Sequence, residues 1–433
     1  MSAAALLAFM LLMWCCMLVR FKLAIARGMA RGERVKKQWR QFRETQAEVV
    51  LCLKGGDATL ELLFSQLAKQ THRAWHLRVV VDSTEDPAWK LATSAVAAAE
   101  AAGASWQSAT VEPLEDRRPV SGSLKCAALR QAYSKLLPET AVVINVDGDA
   151  DARPDWLIML VSEVCQPGVG AASGNRWFEP HGLGPVGFMR ALWGVVCAAV
   201  CDELSIPWGG SLAVRREVVE ASGWVELMKT SLSEDTALPG SLWAAGWKFV
   251  WVTGIVSVDD RPPGDLWPVA RWLARQMLCS HLDHPLFRYT ILPFSLAAVA
   301  SLLAAYGATI LLSGAMLTIA REIAAATILK PLDLQLPPRA TLRWAVGSFV
   351  WVHFSQIVSG IGCLWCIFTS SVEWRGVHYG RTGHRHMHIL RVDGEAPGDA
   401  KSAAAAVAAA CKGAAVRAPL VPGAALIKCT KLA

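Results

Sequence analysis

The chain has 433 residues, of which 53% are hydrophobic and 18% are charged, and its formal net charge at pH 7 is +7. This composition is too apolar for an ordinary soluble enzyme, and it excludes a mainly disordered chain. The length gives room for two or three domains. The 12 cysteines are scattered without the spacing of a secreted disulfide framework, which favours a reducing compartment for most of the protein.

The N-terminal region is predicted to be a membrane anchor. Residues 3–19 form an uncharged apolar run that, at about 1.5 Å per residue, just crosses a hydrocarbon core of about 30 Å. A cleaved signal peptide is the alternative, but no basic residue precedes the run. Many Lys and Arg lie between Arg20 and Arg43, and such residues beside a span stay on the cytoplasmic side. We therefore expect an anchor at 1–20 and a basic linker at 21–47 that begins in the cytosol.

Short apolar runs alternate with helical patterns across residues 48–288. The predicted elements are, in chain order, a strand at 49–53, a helix at 58–69, a strand at 77–81, a helix from Pro87 to about 102, a weaker strand at 105–111, a helix at 122–137 and a strand at 141–146. Such alternation predicts a mainly parallel sheet covered by helices. Ligands bind at the carboxyl ends of the strands in such sheets, and Asp82 and Asp147 follow two of these strands.

Asp147 and Asp149 place two carboxylates two residues apart at the end of a predicted strand. Residues i and i+2 of an extended segment project to the same side, so both side chains can approach one cation. Mg²⁺ and Mn²⁺ favour oxygen ligands of this kind, completed by substrate phosphates and water. The alternative is an acidic turn before a helix that starts at Pro154, and the motif alone does not decide between the two.

Two long apolar runs lie near the C-terminus, at 291–320 and 345–371, and neither contains an acidic residue, a lysine or an arginine. Each is long enough to cross a bilayer with some tilt, and the first can alternatively form a broken or re-entrant hairpin. Residues 289–374 are therefore predicted to be the C-terminal membrane segments. Residues 375–433 are basic and then rich in alanine, and we expect a disordered tail on the cytosolic side.

Several segments together resemble the inverting family-2-type glycosyltransferases. The resemblance is carried by residues 52–55, 80–82 and 146–157 in the nucleotide-sugar half, and by 208–216, 233–236, 243–248 and 270–272 in the acceptor half. The ceramide glucosyltransferase group and its bacterial relatives are similar in layout, with one N-terminal span, a cytosolic catalytic domain and C-terminal hydrophobic segments. Residues 372–379 also look like a motif that follows the membrane segments in those relatives. The resemblance implies an α/β fold of the GT-A type with N-terminal and C-terminal transmembrane helices.

The resemblance also implies roles on the donor side of a site. Asp82 would accept hydrogen bonds from the base of the nucleotide, and Asp147 would hold its ribose. Asp149, with Asp147 beside it, would ligate the Mn²⁺ or Mg²⁺ that bridges the two phosphates. Lys54 and Lys125 are candidate cationic partners of the diphosphate or the ribose, although each taken alone is more often a surface lysine.

On the acceptor side, Asp235 would be the general base that takes the proton from the acceptor hydroxyl. Glu234 beside it either assists the base or is structural, and a helix that simply starts with both acids is the alternative interpretation. Arg271 would pair with the diphosphate, and Trp272 would stack on the acceptor. Pro268 departs from the family pattern, which has Gln or Arg at this position, and this argues against a processive polysaccharide synthase.

The predicted function is transfer of a hexose, with glucose expected, from a UDP-sugar to a lipid hydroxyl at the membrane surface, with ceramide expected. The expected partners are the nucleotide sugar, the lipid acceptor and the bilayer, and no nucleic acid. The catalytic domain is expected in the cytosol, on the Golgi or ER membrane of a eukaryote or the plasma membrane of a bacterium. The alternatives are transfer to another lipid or a polysaccharide, and a catalytically inactive scaffold that binds a nucleotide sugar.

Overall fold

A seven-stranded sheet lies at the centre of the chain. The computed structural model describes residues 3–262, 264–304, 306–329, 340–382 and 386–393. The strands of the sheet are β1 (Ala47–Leu53), β2 (Trp75–Val81), β3 (Ser108–Pro113), β4 (Val142–Val146), β5 (Val169–Phe178), β6 (Ser211–Arg215) and β7 (Lys248–Asp259). They lie in the order β3-β2-β1-β4-β6-β5-β7. Every neighbouring pair is parallel except those that β6 makes with β4 and β5, so the predicted mainly parallel sheet is confirmed.

Helices cover both faces of this sheet, which explains why its central strands are continuous apolar runs. Val50 of β1 packs in one apolar core, whereas its neighbours Val49 and Leu51 pack in the other. The helices as far as the end of this domain are α1 (Ala3–Lys36), α2 (Leu60–Leu67), α3 (Pro87–Ala101), α4 (Leu124–Ser134), α5 (Trp156–Val164), α6 (Pro185–Leu204), α7 (Arg216–Ala221), α8 (Trp224–Leu227), α9 (Glu234–Ala244) and α10 (Leu266–Asp283). The strand expected at 105–111 begins three residues later.

The N-terminal helix continues well beyond the predicted anchor, since α1 ends only at Lys36. Arg31 Nε donates a hydrogen bond to Glu163 Oε2 of α5 over 2.9 Å. A Cβ added at Gly28 would lie 2.5 Å from Thr253 Cγ2 of β7, so the helix backbone is in close contact with the edge of the sheet. Residues 21–36, which we expected to be a linker, are therefore helical and packed on the domain that contains the central sheet.

Three long helices follow α10. They are α11 (Phe287–Ala304), α12 (Tyr306–Ala324), which a π-helical turn extends over Ala325–Leu329, and α13 (Ala340–Phe368). Among the described residues, two stretches are long and apolar enough to cross a membrane by length and composition alone, Tyr306–Thr327 and Leu342–Phe368. The anchor expected at 1–20 is not one of these two stretches and stays a prediction.

The segment after α13 packs on the domain that contains the central sheet. The strands β8 (Ser371–Trp374), β9 (Val377–Thr382) and β10 (His386–Val392) form an antiparallel sheet, here called the terminal sheet. Gly122 N–H donates to the Met387 carbonyl over 2.7 Å, and Met387 N–H donates to the Thr230 carbonyl over 3.0 Å. The expected disordered tail is therefore wrong for 375–382 and 386–393, because pairing within this sheet and with the domain satisfies the backbone groups. The rest of that tail, 394–433, lies outside the described residues.

A buried carboxylate joins the helices after α10 to the central sheet. Glu179, directly after β5, accepts hydrogen bonds from Trp177 Nε1 over 3.1 Å and from Trp344 Nε1 of α13 over 2.9 Å. Arg321 Nη2 of α12 lies 3.7 Å from Glu179 Oε1, and both side chains are 1% exposed. One acidic group thus contacts the sheet, α12 and α13 together.

We expect Glu179→Ala to lower the free energy of unfolding by about 3 kcal/mol, because the buried Arg321 guanidinium then lacks this carboxylate. The melting temperature in detergent should fall by several degrees. Glu220→Ala is the matched control, since Glu220 forms an exposed pair with Arg216 on α7 and such pairs contribute roughly 0–1 kcal/mol. Equal melting temperatures for the two variants would contradict the prediction.

Candidate active site

A cavity of about 690 Å³ lies at the carboxyl ends of β1, β2 and β4. Its lining includes every predicted site residue, namely Lys54, Asp82, Lys125, Asp147, Asp149, Asp235, Arg271 and Trp272. These residues come from strand ends, from the first turns of α4 and α9, and from the middle of α10. The fold therefore brings to one place side chains that are more than two hundred positions apart in the sequence.

The Asp82 carboxylate, which follows β2, is held by two cations. Lys54 Nζ lies 2.8 Å from Asp82 Oδ2, and Arg117 Nη2 donates to the same oxygen over 3.1 Å. Lys54 directly follows β1, so the parallel pairing of β1 with β2 places Lys54 beside Asp82. The carboxylate is 6% exposed, and its orientation is therefore fixed where it meets the cavity.

Lys125 connects two parts of the cavity wall. Its Nζ lies 2.9 Å from Asp147 Oδ1 and 2.8 Å from Glu234 Oε1. The lysine is in the first turn of α4, where the Ser123 hydroxyl caps the helix by accepting a hydrogen bond from Cys126 N–H. Burial alone would lower the pKa of Lys125, but Asp147 and Glu234 raise it well above its usual value. The ammonium group therefore stays protonated at neutral pH.

Glu234 is fully buried behind the cavity wall. Burial raises its pKa to about 7, against the opposing effect of Lys125 and with additional repulsion from Asp235 and Asp147. The backbone of Gly209 lies directly on this carboxylate, since an added Cβ would be 2.1 Å from Glu234 Oε1. The close approach requires glycine at position 209.

Asp235 lines the cavity from the N-terminus of α9. Its Oδ2 accepts a hydrogen bond from Gly209 N–H over 3.0 Å, and its Oδ1 accepts from Thr236 N–H over 2.7 Å and from the Ser233 hydroxyl. Both acids do lie in the first turn of a helix, as the alternative interpretation expected, and Asp235 faces the cavity nonetheless. A carboxylate with a fixed orientation at a cavity surface is suited to accept a proton from a bound ligand.

Asp149 is paired with arginines that the sequence analysis missed. Asp149 Oδ2 lies 2.7 Å from Arg176 Nη2 and 3.4 Å from Arg261 Nη2, and both arginines also contact Asp259. Burial alone would raise the pKa of Asp149, but the two arginines lower it below its usual value. The carboxylate is therefore ionised at neutral pH. Arg176 is the one charged residue of β5.

Asp147 and Asp149 are the residues that could hold a metal ion at the cavity. No group of three or more His, Cys, Asp or Glu is arranged to bind an ion in the part of the chain that the structure describes. Carboxylate oxygens suit Mg²⁺ or Mn²⁺ when substrate phosphates and water supply the remaining ligands. The donor set therefore fits such a cation together with a diphosphate ligand.

Helix α10 and the terminal sheet form a further wall. Arg271 Nη1 donates a hydrogen bond to Glu373 Oε2 of β8 over 2.9 Å. Arg275, one helical turn later, also lines the cavity, and its guanidinium lies 4.5 Å from the ring centroid of Trp374. Residues at i and i+4 lie on the same face of a helix, so Arg275 could be predicted to lie near Arg271 from the sequence.

Apolar side chains also line the same cavity. Trp272 packs edge-on against Trp193 of α6, with the ring centroids 5.0 Å apart. The apolar lining from α6, α12 and α13 includes Leu192, Val196, Leu317 and Val352. One continuous cavity thus joins the charged groups to the two stretches that are apolar enough to cross a membrane.

Gly209→Ala is expected to lower the free energy of unfolding by about 1–3 kcal/mol, as in an overpacked core, because its Cβ overlaps the buried Glu234 carboxylate. Thermal unfolding in detergent measures the effect. Gly32→Ala in α1 is the matched control, since nothing lies within 4 Å of a Cβ at that position. A Gly209→Ala variant as stable as the Gly32→Ala control would show that the carboxylate moves away at no cost.

The raised pKa of Glu234 predicts a pH dependence of stability. The folded protein keeps the Glu234 proton up to about pH 7, whereas a glutamate in the unfolded chain loses it near 4.5. The contribution of Glu234 to the free energy of unfolding is therefore complete below about pH 4.5 and declines as the pH rises to about 7. Glu234→Gln, which does not titrate, should show a smaller fall in melting temperature across this window than the wild type. Glu220→Gln, at an exposed position, should follow the wild-type profile; identical profiles for all three proteins would contradict the assignment.

Comparison with known proteins identifies the family. The model of glycosyl transferase family 21 matches residues 3–383. Among solved structures, a mannosyltransferase from Pyrobaculum calidifontis in complex with GDP-Man and Mn²⁺ is 17% identical, with a TM-score of 0.42 over 82% of this chain and 98% of that chain. Glucosyl-3-phosphoglycerate synthase from Mycobacterium tuberculosis, in complex with Mn²⁺, UDP and phosphoglyceric acid, is 16% identical, with a TM-score of 0.37 over 56% and 81%. No curated protein matches. The family match covers most of the chain, and the protein therefore belongs to glycosyltransferase family 21.

Proposed function

We propose that the protein is an inverting glycosyltransferase that moves glucose from UDP-glucose to the hydroxyl group of a membrane lipid, and that this lipid is ceramide. Family membership supports transfer from a nucleotide sugar. The proposal of a lipid acceptor rests on one observation, which is that the same cavity joins the acidic groups to the apolar surfaces of α12 and α13. In such a cavity a sugar donor can bind at the charged groups while the lipid keeps its apolar part against the apolar surfaces.

The donor would bind at the ends of β1, β2 and β4. The Asp82 carboxylate would accept hydrogen bonds from the nucleotide base, and Lys54 beside it supplies a positive charge. Asp147, oriented by Lys125, would hold the ribose hydroxyls. Arg271 and Arg275 on α10 provide guanidinium groups at the cavity, and guanidinium matches phosphate oxygens in shape and charge.

A Mn²⁺ or Mg²⁺ ion would be held by Asp149 and Asp147. When bound, such an ion neutralises negative charge on the diphosphate leaving group. Arg176 and Arg261 keep Asp149 ionised and oriented, so the carboxylate is ready to accept a cation without first losing a proton.

Asp235 would act as the general base. Its carboxylate would take the proton of the acceptor hydroxyl as that oxygen attacks the anomeric carbon of the sugar, while the bond from that carbon to the diphosphate oxygen breaks. Attack from the face opposite the leaving group inverts the configuration in one displacement. Hydrogen bonds from Gly209 N–H and Thr236 N–H fix the orientation of the base before the acceptor arrives.

The lipid acceptor would enter along the apolar helices, with Trp272 beside its headgroup. The protein would then be an integral membrane protein with its catalytic domain in the cytosol, on the Golgi or ER membrane of a eukaryote or the plasma membrane of a bacterium. The basic residues of α1 after position 20 support this orientation, because Lys and Arg next to a membrane remain on the cytoplasmic side.

Asp235→Asn should reduce transfer of labelled glucose from UDP-glucose to ceramide by roughly 10²–10⁴-fold, since removal of a general base costs about that much. Binding of UDP should stay near the wild-type value, because the proposed role of Asp235 is toward the acceptor and not toward the donor. Asp155→Asn is the matched control, since Asp155 precedes α5 and does not line the cavity. Membranes containing the protein, assayed with and without Mn²⁺ or Mg²⁺, provide the measurement.

The outcomes distinguish the alternatives. Undiminished transfer by Asp235→Asn removes this residue as the base. Transfer to another lipid or to a polysaccharide, with none to ceramide, overturns the acceptor assignment and keeps the enzyme class. Nucleotide binding without transfer to any acceptor favours the inactive scaffold. Full activity in the presence of a chelator removes the metal from the proposal.

A further inference from the structure

The turn between β8 and β9 has an unusual backbone conformation. Arg375 has a φ of +50° and Gly376 a φ of +71°, so two consecutive residues occupy the left-handed region, as in the tight turns of many hairpins. Glycine adopts this region readily, whereas arginine does so at a cost. Strained backbone conformations of this kind cluster at functional sites, so the position invites a test of what the side chain does.

The strained turn carries the Arg375 side chain into the wall of the cavity. Arg375 Nη1 donates a hydrogen bond to the Lys54 carbonyl over 3.2 Å, and Arg375 Nη2 lies 3.6 Å from Asp57 Oδ2. Both contacts are with the segment that links β1 to α2, next to the lysine that pairs with Asp82. The side chain of Arg375 lines the cavity and is 52% exposed, so its contacts with the linking segment leave it accessible to a ligand.

The residues before the turn fix its position on α10. Glu373 accepts a hydrogen bond from Arg271, and the ring of Trp374 lies under the guanidinium of Arg275. Farther along β9, the buried Tyr379 hydroxyl accepts a hydrogen bond from Leu124 N–H over 3.3 Å. The terminal sheet is thus attached to both sides of the cavity, and it holds Arg375 between them.

We propose that Arg375 binds the diphosphate of the nucleotide-sugar donor. The proposal rests on the proposed function, because it assumes a nucleoside diphosphate in the cavity. The diphosphate is the strongly anionic part of such a donor, and a guanidinium binds phosphate oxygens through paired N–H groups. A cation at this position also offsets the charge that develops on the departing diphosphate. Residues beyond the last apolar helix then belong to the active site.

Arg375→Gly is the decisive variant, because glycine removes the guanidinium and also relieves the positive φ. We expect this variant to bind UDP at least about 10-fold more weakly than the wild type, the loss expected for a hydrogen-bonded charge. Its affinity for uridine should change by less than about 2-fold, because uridine carries no phosphate. Its melting temperature should be equal to or higher than that of the wild type. Titration calorimetry on the full chain in detergent gives the affinities.

Arg391→Ala is the matched control, since Arg391 is an exposed arginine of β10 in the same sheet, paired with Asp393. This control should bind UDP and uridine as the wild type does. Wild-type affinity of Arg375→Gly for UDP, or an equal loss for UDP and uridine, would overturn the proposal. If the wild type itself binds neither UDP nor GDP, the proposed function fails and this inference fails with it.

Discussion

The ammonium group of Lys125 holds the two halves of the active site together. Asp147 ends the strand that would hold the donor, and Glu234 begins the helix that carries Asp235, so the contacts of one lysine link the donor side to the candidate base. Glu234 is fully buried against Lys125, and a buried polar group without a partner is costly, so this contact is hard to rearrange. Gly209 packs on Glu234 and donates to Asp235, so the orientation of the base depends on the same contacts.

Charged groups at the cavity occur as oriented pairs. Lys54 with Asp82, Lys125 with Asp147 and Arg176 with Asp149 each join a cation to a carboxylate at a strand end or beside it. Little reorganisation of these groups is needed when charge develops during a reaction, and such preorganisation is a large part of enzymatic catalysis. The rest of the cavity lining is largely apolar, and electrostatic interactions are stronger in such surroundings than in water.

The location of Asp82 and Asp147 at one cavity could be predicted because they follow short apolar runs, and the parallel alignment of these strands brings their ends to the same edge of the sheet. Arg176 was missed because its partner Asp149 is 27 residues away in sequence, and no local pattern reports such a contact. The terminal sheet was missed for a related reason. Its strands are short and contain polar residues such as His378 and Arg381, and their stability comes from pairing with distant segments near Gly122 and Thr230. The helical continuation of α1 to Lys36 likewise contacts a residue that is distant in sequence, Glu163 of α5.

The position of the terminal sheet limits the number of times that the chain can cross a bilayer. The catalytic domain precedes α11 and the terminal sheet follows α13, and hydrogen bonds join these two parts directly. Both ends of the region from α11 to α13 must then lie on the same face of any membrane that it enters, so the number of complete crossings between them is even. Three successive crossings are incompatible with this arrangement, whereas α12 and α13 as an antiparallel pair, with α11 not traversing, satisfy it.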